Sequence, residues 1–254
     1  MRRAYDMPRR TDLARELGVD RWMILETDGS LDPRYVAQSL AQTADVEEVT
    51  VDWRAFPTVV PNDPLYPDQW CPDNQGQMLP YAWSTNSHEN RTPVGTVDFD
   101  ANADIAWDGA QGFGDPSVVI GIMDSGVDVD HPDLNLVAGY DFGDNDSNPD
   151  DNSAAPGHGT SCAGIAAAIA NNGVGVAGVA GGASVMPLKV ADSNGSLYFS
   201  YIQNALYYAA DNGVDVISMS FGAAISSDSA TDTALEYAYA AGCVLLAATG
   251  NENA

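Results

Sequence analysis

Short apolar strands alternate with alanine-rich helical windows through the second half of this 254-residue chain. The predicted strands are residues 118–124, 184–190, 215–221 and 243–249, and the predicted helices are residues 158–171, 198–212 and 231–241. Mostly apolar strands separated by helices are typical of a parallel sheet that is covered by helices on both faces. The sequence therefore predicts an α/β fold.

A change in composition near residue 60 divides the chain. The first 54 residues hold eight of the ten Arg and Lys, and the rest of the chain holds the other two against 25 acids. The change coincides with the Pro-rich stretch 57–64, in which neither a helix nor a central strand continues easily. We place a domain boundary there, with residues 1–60 before it and residues 61–254 after it.

The first domain has the pattern of a small β-α-β unit. Residues 21–26 and 48–53 are predicted strands, and a helix is predicted to begin at Asp32 and Pro33 because apolar residues recur there at helical spacing. A unit of this size buries little surface alone, so we expect it to pack against something else.

The charge of the chain disfavours two classes of partner. Thirty-six acids, 29 of them Asp, stand against ten bases and give a net charge of −26. Nucleic-acid affinity depends mainly on Lys and Arg that neutralise phosphates, so we expect no nucleic-acid binding. No apolar run approaches the ~18–20 residues of a membrane span, and the charged N-terminus lacks the apolar stretch of a signal peptide. We expect no membrane partner.

Three polar motifs stand at predicted strand ends or helix starts, where parallel sheets gather functional groups. The strand 118–124 ends in Asp124, His158 lies between two glycines at the start of a helix, and the strand 243–249 leads to Asn251. The structural alternatives at these positions are an Asp that caps a turn, an exposed loop histidine and a plain turn.

Together these motifs resemble those of the subtilisin-like serine proteases (subtilases, peptidase S8 family). The segments that carry the resemblance are Asp124-Ser125-Gly126 with His131-Pro132-Asp133-Leu134, His158-Gly159-Thr160 with Ala163-Gly164, Ile217–Gly222 and Ala247–Asn251. The order of Asp before His is also that of subtilisin. The resemblance runs from about Asn62 to Ala254, and residues 62–70 look like the mature N-terminus of kexin-type and related bacterial subtilases.

The resemblance implies a serine endopeptidase, a hydrolase that cleaves peptide bonds with an Asp-His-Ser triad. His158 would take the proton of a serine hydroxyl and later pass it to the leaving amine. Asp124 would hold the correct tautomer of His158 and stabilise the imidazolium. Asn251 would donate a hydrogen bond to the oxyanion.

The implied substrate is a polypeptide that adds as an extended strand between two segments of the groove. These substrate-binding segments are Gly195-Ser196-Leu197 and Ser220-Phe221-Gly222. Phe221 would shape the wall of the P1 pocket, so we expect a broad preference that favours apolar residues.

The family's nucleophile lies in a Gly-Thr-Ser-Met-Ala motif downstream of the asparagine, and this sequence stops three residues after Asn251. Gly159-Thr160-Ser161 resembles part of that motif, but Ser161 follows His158 by one helical turn, so we do not expect it to be the nucleophile. We expect a chain truncated before the serine motif and inactive alone. The alternative is a non-catalytic pseudoprotease or a calcium-binding module.

The glycine-rich stretch 173–178 spells G-x-G-x-x-G, but a helix precedes it and a strand follows, which is the reverse of a dinucleotide site. This stretch resembles a calcium-binding loop of subtilases. The implied ligands are Asp133, Asn172 and the carbonyl groups of Val174 and Val176. We expect structural Ca²⁺ and no organic cofactor.

The acidic run 144–151 begins like an EF-hand loop but lacks the glycine at the sixth position and the glutamate at the twelfth. A solvated loop and a second calcium site, with Asp144 and Asp146 as ligands, both remain open. Kexin-type subtilases place a calcium site in the corresponding loop.

Residues 20–54 are similar to the second half of a subtilase propeptide, so the first domain would be a partial propeptide. The resemblance implies a secreted zymogen with this propeptide as its intramolecular inhibitor, and we expect a monomer. Of three cysteines at least one must be free. We expect Cys162 to be a small buried side chain and not a catalytic thiol, and Cys243 to lie in the core.

Overall fold

The computed structural model describes residues 2–4, 9–27, 29–52, 59–77, 96–109, 112–154, 156–223 and 228–250. The chain divides into two compact units, Met1–Ala55 and Phe56–Ala254. None of the helices within the described ranges has the length and apolar character required to cross a membrane.

The first unit consists of short elements. Its strands β1 (Arg2–Arg3) and β2 (Met23–Ile24) pair antiparallel, and its helices are α1 (Thr11–Glu16), the 3-10 turn Val19–Arg21 and α2 (Pro33–Leu40). Helix α2 begins as predicted, because the carboxylate of Asp32 accepts a hydrogen bond from the backbone N–H of Arg34 at 2.8 Å.

The β-α-β prediction for this unit is wrong at its second strand. Residues 48–52 have no regular structure, and residue 53 lies outside the described residues. Among the described residues of the unit, Ala14 is the only buried apolar side chain. Alternating valines form a strand only when a neighbouring strand and a core receive them, and among the described residues β1 and β2 pair only with each other.

The second unit contains the predicted parallel sheet. Its strands are β3 (Val119–Asp124), β4 (Tyr140–Asp141), β5 (Ser184–Lys189), β6 (Val216–Met219) and β7 (Val244–Ala247). The spatial order is β4-β5-β3-β6-β7, and every neighbouring pair is parallel. The four predicted strands are therefore confirmed, and β4 adds an edge strand that the sequence did not predict.

Helices cover both faces of this sheet, which confirms the predicted α/β architecture. Helix α3 (Ala103–Trp107) and the 3-10 turn Tyr66–Asp68 pack together in a separate apolar cluster. Helix α4 (His158–Ala167) packs on one face of the sheet, and α5 (Phe199–Asp211) and α6 (Ser229–Ala240) pack on the other. Helix α4 ends four residues earlier than the predicted residue 171, because Ala168 turns to an extended conformation and pairs with Leu134.

Strand β3 explains why the apolar run in the sequence is continuous. Its side chains alternate between the two faces. Ile122 packs in the cluster that includes α4, whereas Met123 packs in the cluster that includes α5 and α6. With both faces buried, the strand needs apolar residues at every position until it reaches its carboxyl end at Asp124.

We predict that Leu188→Ala in β5 lowers the free energy of unfolding by about 2–5 kcal/mol, because Leu188 is fully buried and its truncation leaves a cavity. The matched control is Leu246→Ala in β7, whose side chain is half exposed; its effect should be within about 0.5 kcal/mol. Urea unfolding followed by circular dichroism measures both. Equal losses in the two variants would contradict the placement of the core.

Candidate active site

The end of β3 and the start of α4 bring Asp124 and His158 together. His158 Nδ1 donates to Asp124 Oδ1 at 2.7 Å, and the same oxygen accepts the backbone N–H of Ser125 at 2.7 Å. The carboxylate is buried, whereas 59% of the His158 side chain is exposed. Because Nδ1 is the donor, Nε2 is the acceptor that faces outward.

Glycine allows this close approach of strand and helix. A Cβ at Gly159 would overlap the carbonyl oxygen of Gly126 and would lie 3.0 Å from the Cβ of Asp124. Gly157, which precedes the helix, has φ of +104°, a conformation that suits glycine. The two glycines beside His158 therefore serve the backbone and leave the imidazole accessible.

The second oxygen of Asp124 has an unusual environment. Asp124 Oδ2 is buried and has no hydrogen-bond partner among the described residues. A buried carboxylate oxygen without a donor is costly, because burial removes its water partners. Among the described residues, the Asp124 carboxylate is therefore held through Oδ1 alone, by His158 and Ser125.

Cys162 lies one helical turn after His158, with Sγ 4.0 Å from Nδ1. Burial raises the pKa of the Cys162 thiol, and the carboxylates of Asp124 and Asp151 add to the rise. Its side chain is half-buried and not fully buried as expected, while Cys243 is in the core as predicted, and all three cysteines are free thiols. A raised pKa keeps the Cys162 thiol protonated near neutral pH, which makes it a poor nucleophile.

Asp124, His158 and Cys162 are the only His, Cys, Asp or Glu trio in the described ranges whose ligand atoms all lie within 4.8 Å of one another. The separation of 2.7 Å between Nδ1 and Oδ1 is that of a charge-assisted hydrogen bond. The geometry is thus that of an acid-base pair.

The hydroxyl of Ser161 points away from this pair. Its Oγ donates to the backbone carbonyl of Gly157 at 2.6 Å, as helical serines often do four residues back. In the part of the chain that the structure describes, no serine hydroxyl is hydrogen-bonded to His158 Nε2. The geometry therefore gives Ser161 no role as nucleophile.

Asn251 lies outside the described residues. The strand that leads to it is β7, and Ala248, just past β7, donates its backbone N–H to the carbonyl of Met219 at 3.0 Å. The carboxyl ends of β6 and β7 therefore lie side by side, and β6 leads directly into the predicted substrate-binding segment 220–222.

The other predicted substrate-binding segment, Gly195, Ser196 and Leu197, forms the returning arm of a tight turn. The carboxylate of Asp192 accepts the backbone N–H of Ser196 at 2.9 Å, and Leu197 pairs with Ala191. Gly195 has φ of +80°, which this turn requires. Gly195 is half-buried in the turn, and Ser196 and Leu197 leave it as exposed residues.

An apolar groove of about 350 Å³ adjoins the second substrate-binding segment through Phe221. Its lining residues are Phe199, Ile202, Met219, Phe221, Thr231, Leu235, Leu245 and Ala247. Of these residues, only Phe221 was predicted from the sequence to line a pocket, although Met219 and Ala247 lie in the motif segments named above. The available signal was the apolar spacing of Phe199 and Ile202 in the first turn of α5.

The four predicted calcium-loop residues form one hydrogen-bonded cluster. Asp133 Oδ1 accepts the side-chain amide of Asn172 at 2.7 Å, and Asp133 Oδ2 accepts the backbone N–H of Val176 at 3.3 Å. Asn172 in turn accepts the backbone N–H of Val174 at 2.7 Å. The structure thus folds the loop around the Asp133 carboxylate.

A further carboxylate, Asp63, joins this loop and was missed in the sequence. It is 2% exposed, as is Asp133, and it accepts the backbone N–H groups of Asn171 at 2.6 Å and Asn172 at 3.2 Å. No spacing pattern links residues more than a hundred positions apart. The only signal was the resemblance of the segment that contains Asp63 to a mature subtilase N-terminus.

The chemistry of this loop fits Ca²⁺. Two buried carboxylates come together at a loop, and neither forms an ion pair with Lys or Arg in the described ranges. A Cβ at Gly175 would overlap Asp133 Oδ2, so the loop keeps the space beside that oxygen free of side chains. Carboxylate, amide and carbonyl oxygens are the ligands that Ca²⁺ prefers.

The second predicted metal pair, Asp144 and Asp146, lies in a loop whose charge is partly balanced by the only lysine. Lys189 is fully buried, and its Nζ donates to Asp141 Oδ2 at 2.6 Å and to Asn152 Oδ1 at 2.7 Å. Asp144 Oδ2 is 3.6 Å from the same ammonium group. The burial of Lys189 beside Asp141 was not predicted from the sequence.

Sequence and structure comparisons with known proteins identify the relatives of this chain. The sequence profile of the Subtilase family matches residues 115–254. Thermitase from Thermoactinomyces vulgaris is 46% identical over 148 residues, which are 58% of this chain and 50% of that protein. Subtilisin E from Bacillus subtilis is 42% identical over 143 residues, which are 56% of this chain and 36% of that protein.

A solved structure of a protease from Pseudoalteromonas arctica is 31% identical, with a TM-score of 0.60; the match covers 77% of this chain and 60% of that one. This chain thus spans half or less of the length of the two relatives named above. The profile match nevertheless covers more than half of this chain and includes both Asp124 and His158. The chain belongs to the subtilase family.

Proposed function

We propose that the protein is a serine endopeptidase in which Asp124 and His158 form the acid-base half of an Asp-His-Ser triad. The observation that carries this proposal is the 2.7 Å hydrogen bond between a buried carboxylate and an accessible imidazole. His158 Nε2 removes the proton of the attacking serine hydroxyl and later protonates the leaving amine. Asp124 fixes the tautomer and stabilises the charged ring throughout.

The nucleophilic serine belongs, in this proposal, to a segment outside the described residues. Ser161 is excluded by its bond to Gly157, and the matched relatives are about twice as long as the matched segment or longer. Asn251 donates to the oxyanion, an interaction whose loss costs ~2.7–4 kcal/mol in subtilisin itself. The segment with the serine is proposed to be separate from residues 1–254, so residues 1–254 alone are expected to be inactive as a peptidase.

The substrate is an extended polypeptide held by residues 195–197 and residues 220–222. The exposed backbone after the Asp192 turn supports this role for the first segment. The apolar groove beside Phe221 supports a preference for apolar side chains in the substrate. Backbone hydrogen bonds would supply most of the affinity, and this groove would supply selectivity.

The first unit acts as a partial propeptide and intramolecular inhibitor in a secreted, monomeric zymogen. The support is that this unit leaves large apolar side chains exposed, among them Leu17 at 67% and Tyr35 at 62%. Apolar surface of this kind suits packing against another protein surface.

Calcium stabilises the protein through the loop around Asp133. Asp63, Asp133, Asn172 and the carbonyl groups of Val174 and Val176 would hold the ion. The two buried carboxylates would otherwise depend on backbone and amide donors alone. Asp144 and Asp146 would hold a second ion, with Lys189 already neutralising their neighbour Asp141.

To test the triad, the encoding DNA is read past codon 254, and the protein of the continuous reading frame is assayed with a chromogenic peptide that has an apolar P1 residue. We expect hydrolysis, and we expect His158→Ala to lower kcat by about 10⁴-fold or more. Ser161→Ala is the matched control and should leave kcat unchanged.

Residues 1–254 alone should give no turnover in the same assay. Turnover by this shorter protein would contradict the placement of the serine. No in-frame serine motif, or one with its serine replaced, would favour the alternative of a pseudoprotease or a calcium-binding module.

For calcium, we predict that removal with EDTA lowers the melting temperature and that added Ca²⁺ restores it. At a free concentration of 100 Kd the ion contributes about 2.7 kcal/mol to the free energy of unfolding. Asp133→Asn should abolish most of the shift, whereas the nearby Asp130→Asn, at an exposed position, should retain it. A full shift in the Asp133 variant would disprove this ligand assignment.

For the thiol, we predict slow alkylation of Cys162 by iodoacetamide at pH 8. Burial and the nearby carboxylates raise its pKa, so less thiolate is present at this pH than in the unfolded chain, and the rate should increase as the pH is raised. Asp124→Asn should accelerate the reaction by removing one of those charges. Peptide mapping by mass spectrometry measures the rate at each cysteine, and faster alkylation in the native protein than in urea would refute the prediction.

A further inference from the structure

We propose that Asp151 is a positioning residue for the Asp124–His158 pair, acting through Ser125 and Thr160. The inference rests on the proposed function, because it concerns the same pair. Asp151 lies in the acidic run that the sequence analysis assigned only to solvent or to calcium. Neither the catalytic motifs nor the proposed metal sites include it.

One oxygen of Asp151 caps the helix that begins with His158. Asp151 Oδ2 accepts the backbone N–H of Gly157 at 2.7 Å, the hydroxyl of Thr160 at 2.8 Å and the backbone N–H of Thr160 at 3.3 Å. The N-cap residue, Gly157, has no side chain to perform this task. A carboxylate from another loop therefore satisfies the free N–H groups of α4 and complements its dipole.

The other oxygen of Asp151 reaches the end of β3. Asp151 Oδ1 accepts the hydroxyl of Ser125 at 3.0 Å, and that hydroxyl accepts the backbone N–H of Gly159 at 3.0 Å. The backbone N–H of Ser125 donates to Asp124 Oδ1, the oxygen that holds His158. A single carboxylate thus connects the residue after Asp124 to the first turn of the His158 helix.

The charge of Asp151 also reaches the site. Its carboxylate is among the causes that raise the pKa of Cys162, one turn after His158. The effect on Cys162 shows that the carboxylate of Asp151 acts on the first turns of α4, which its hydrogen bonds also hold.

The test is nuclear magnetic resonance of residues 1–254, which needs no peptidase activity. A hydrogen bond from an imidazole to a carboxylate moves the Nδ1 proton of His158 well downfield of the backbone amides. We expect this resonance in the unmodified protein. We expect its loss in Asp151→Ala, because the start of α4, which carries His158, is then no longer fixed to the end of β3. Alkylation of Cys162 at fixed pH should also become faster in that variant.

The matched control is Asp150→Asn, which removes the same charge one residue away. The Asp150 carboxylate accepts one weak backbone bond, from Val129 at 3.3 Å, and among the described residues it has no hydrogen bond to α4, so the resonance should persist. If Asp151→Ala fails to fold, Ser125→Ala and Thr160→Val each remove one arm of the connection. We expect each to weaken the resonance, with faster exchange with water.

Outcomes separate the inference from the proposed function. A resonance that persists in Asp151→Ala, with unchanged backbone amides, would overturn the positioning role and leave the Asp124–His158 pair intact. A purely capping role would lower stability in Asp151→Ala without loss of the resonance, and would also overturn it. Absence of the resonance in the unmodified protein would overturn the pair itself.

Discussion

The hydrogen bond between Asp124 and His158 depends on how a buried parallel strand ends. Strand β3 is apolar on both faces, so its first polar side chain appears only where the sheet stops. That side chain remains buried because α4 packs directly against the end of β3. A Cβ at Gly159 would overlap the backbone there. The result is a carboxylate shielded from water on a buried strand, beside an imidazole that is largely exposed. Shielding of this kind strengthens the electrostatic effect of the carboxylate on the ring.

The chain has few Lys and Arg residues, and this shortage determines how its buried carboxylates are stabilised. Residues 55–254 contain two bases, and one of them, Lys189, is fully buried beside Asp141. Other buried carboxylates must use backbone N–H groups, side-chain amides or a bound cation. Asp63 and Asp133 use the first two and share a loop that could accept a cation. The calcium ion proposed above would therefore be consistent with a chain of this composition.

The elements that are predicted well from the sequence are those marked by a local pattern of apolar residues. Strands β3 and β5 are found because burial on both faces makes each one an almost continuous apolar run, and β6 and β7 are found because short apolar runs there alternate with helical windows. The strand predicted at residues 48–53 is not found, because an alternating pattern also needs a partner strand and a core. In the described part of the first unit, residues 48–52 pair with no strand. Asp63 and Asp151 escape prediction for another reason. Their importance lies in contacts with Asn171 and Thr160, which no local pattern reveals.

In the proposed peptidase, the acid-base pair and the substrate-binding segments occupy different parts of the chain. Asp124, Asp151 and His158 all lie between the start of β3 and the end of α4, and their hydrogen bonds close within that stretch. The proposed substrate-binding segments follow later, after β5 and after β6. Changes in the groove near Phe221 can therefore alter selectivity without disturbing the acid-base pair. Changes in the loop around Asp151 would do the reverse, because they act on the ring and leave the groove unchanged.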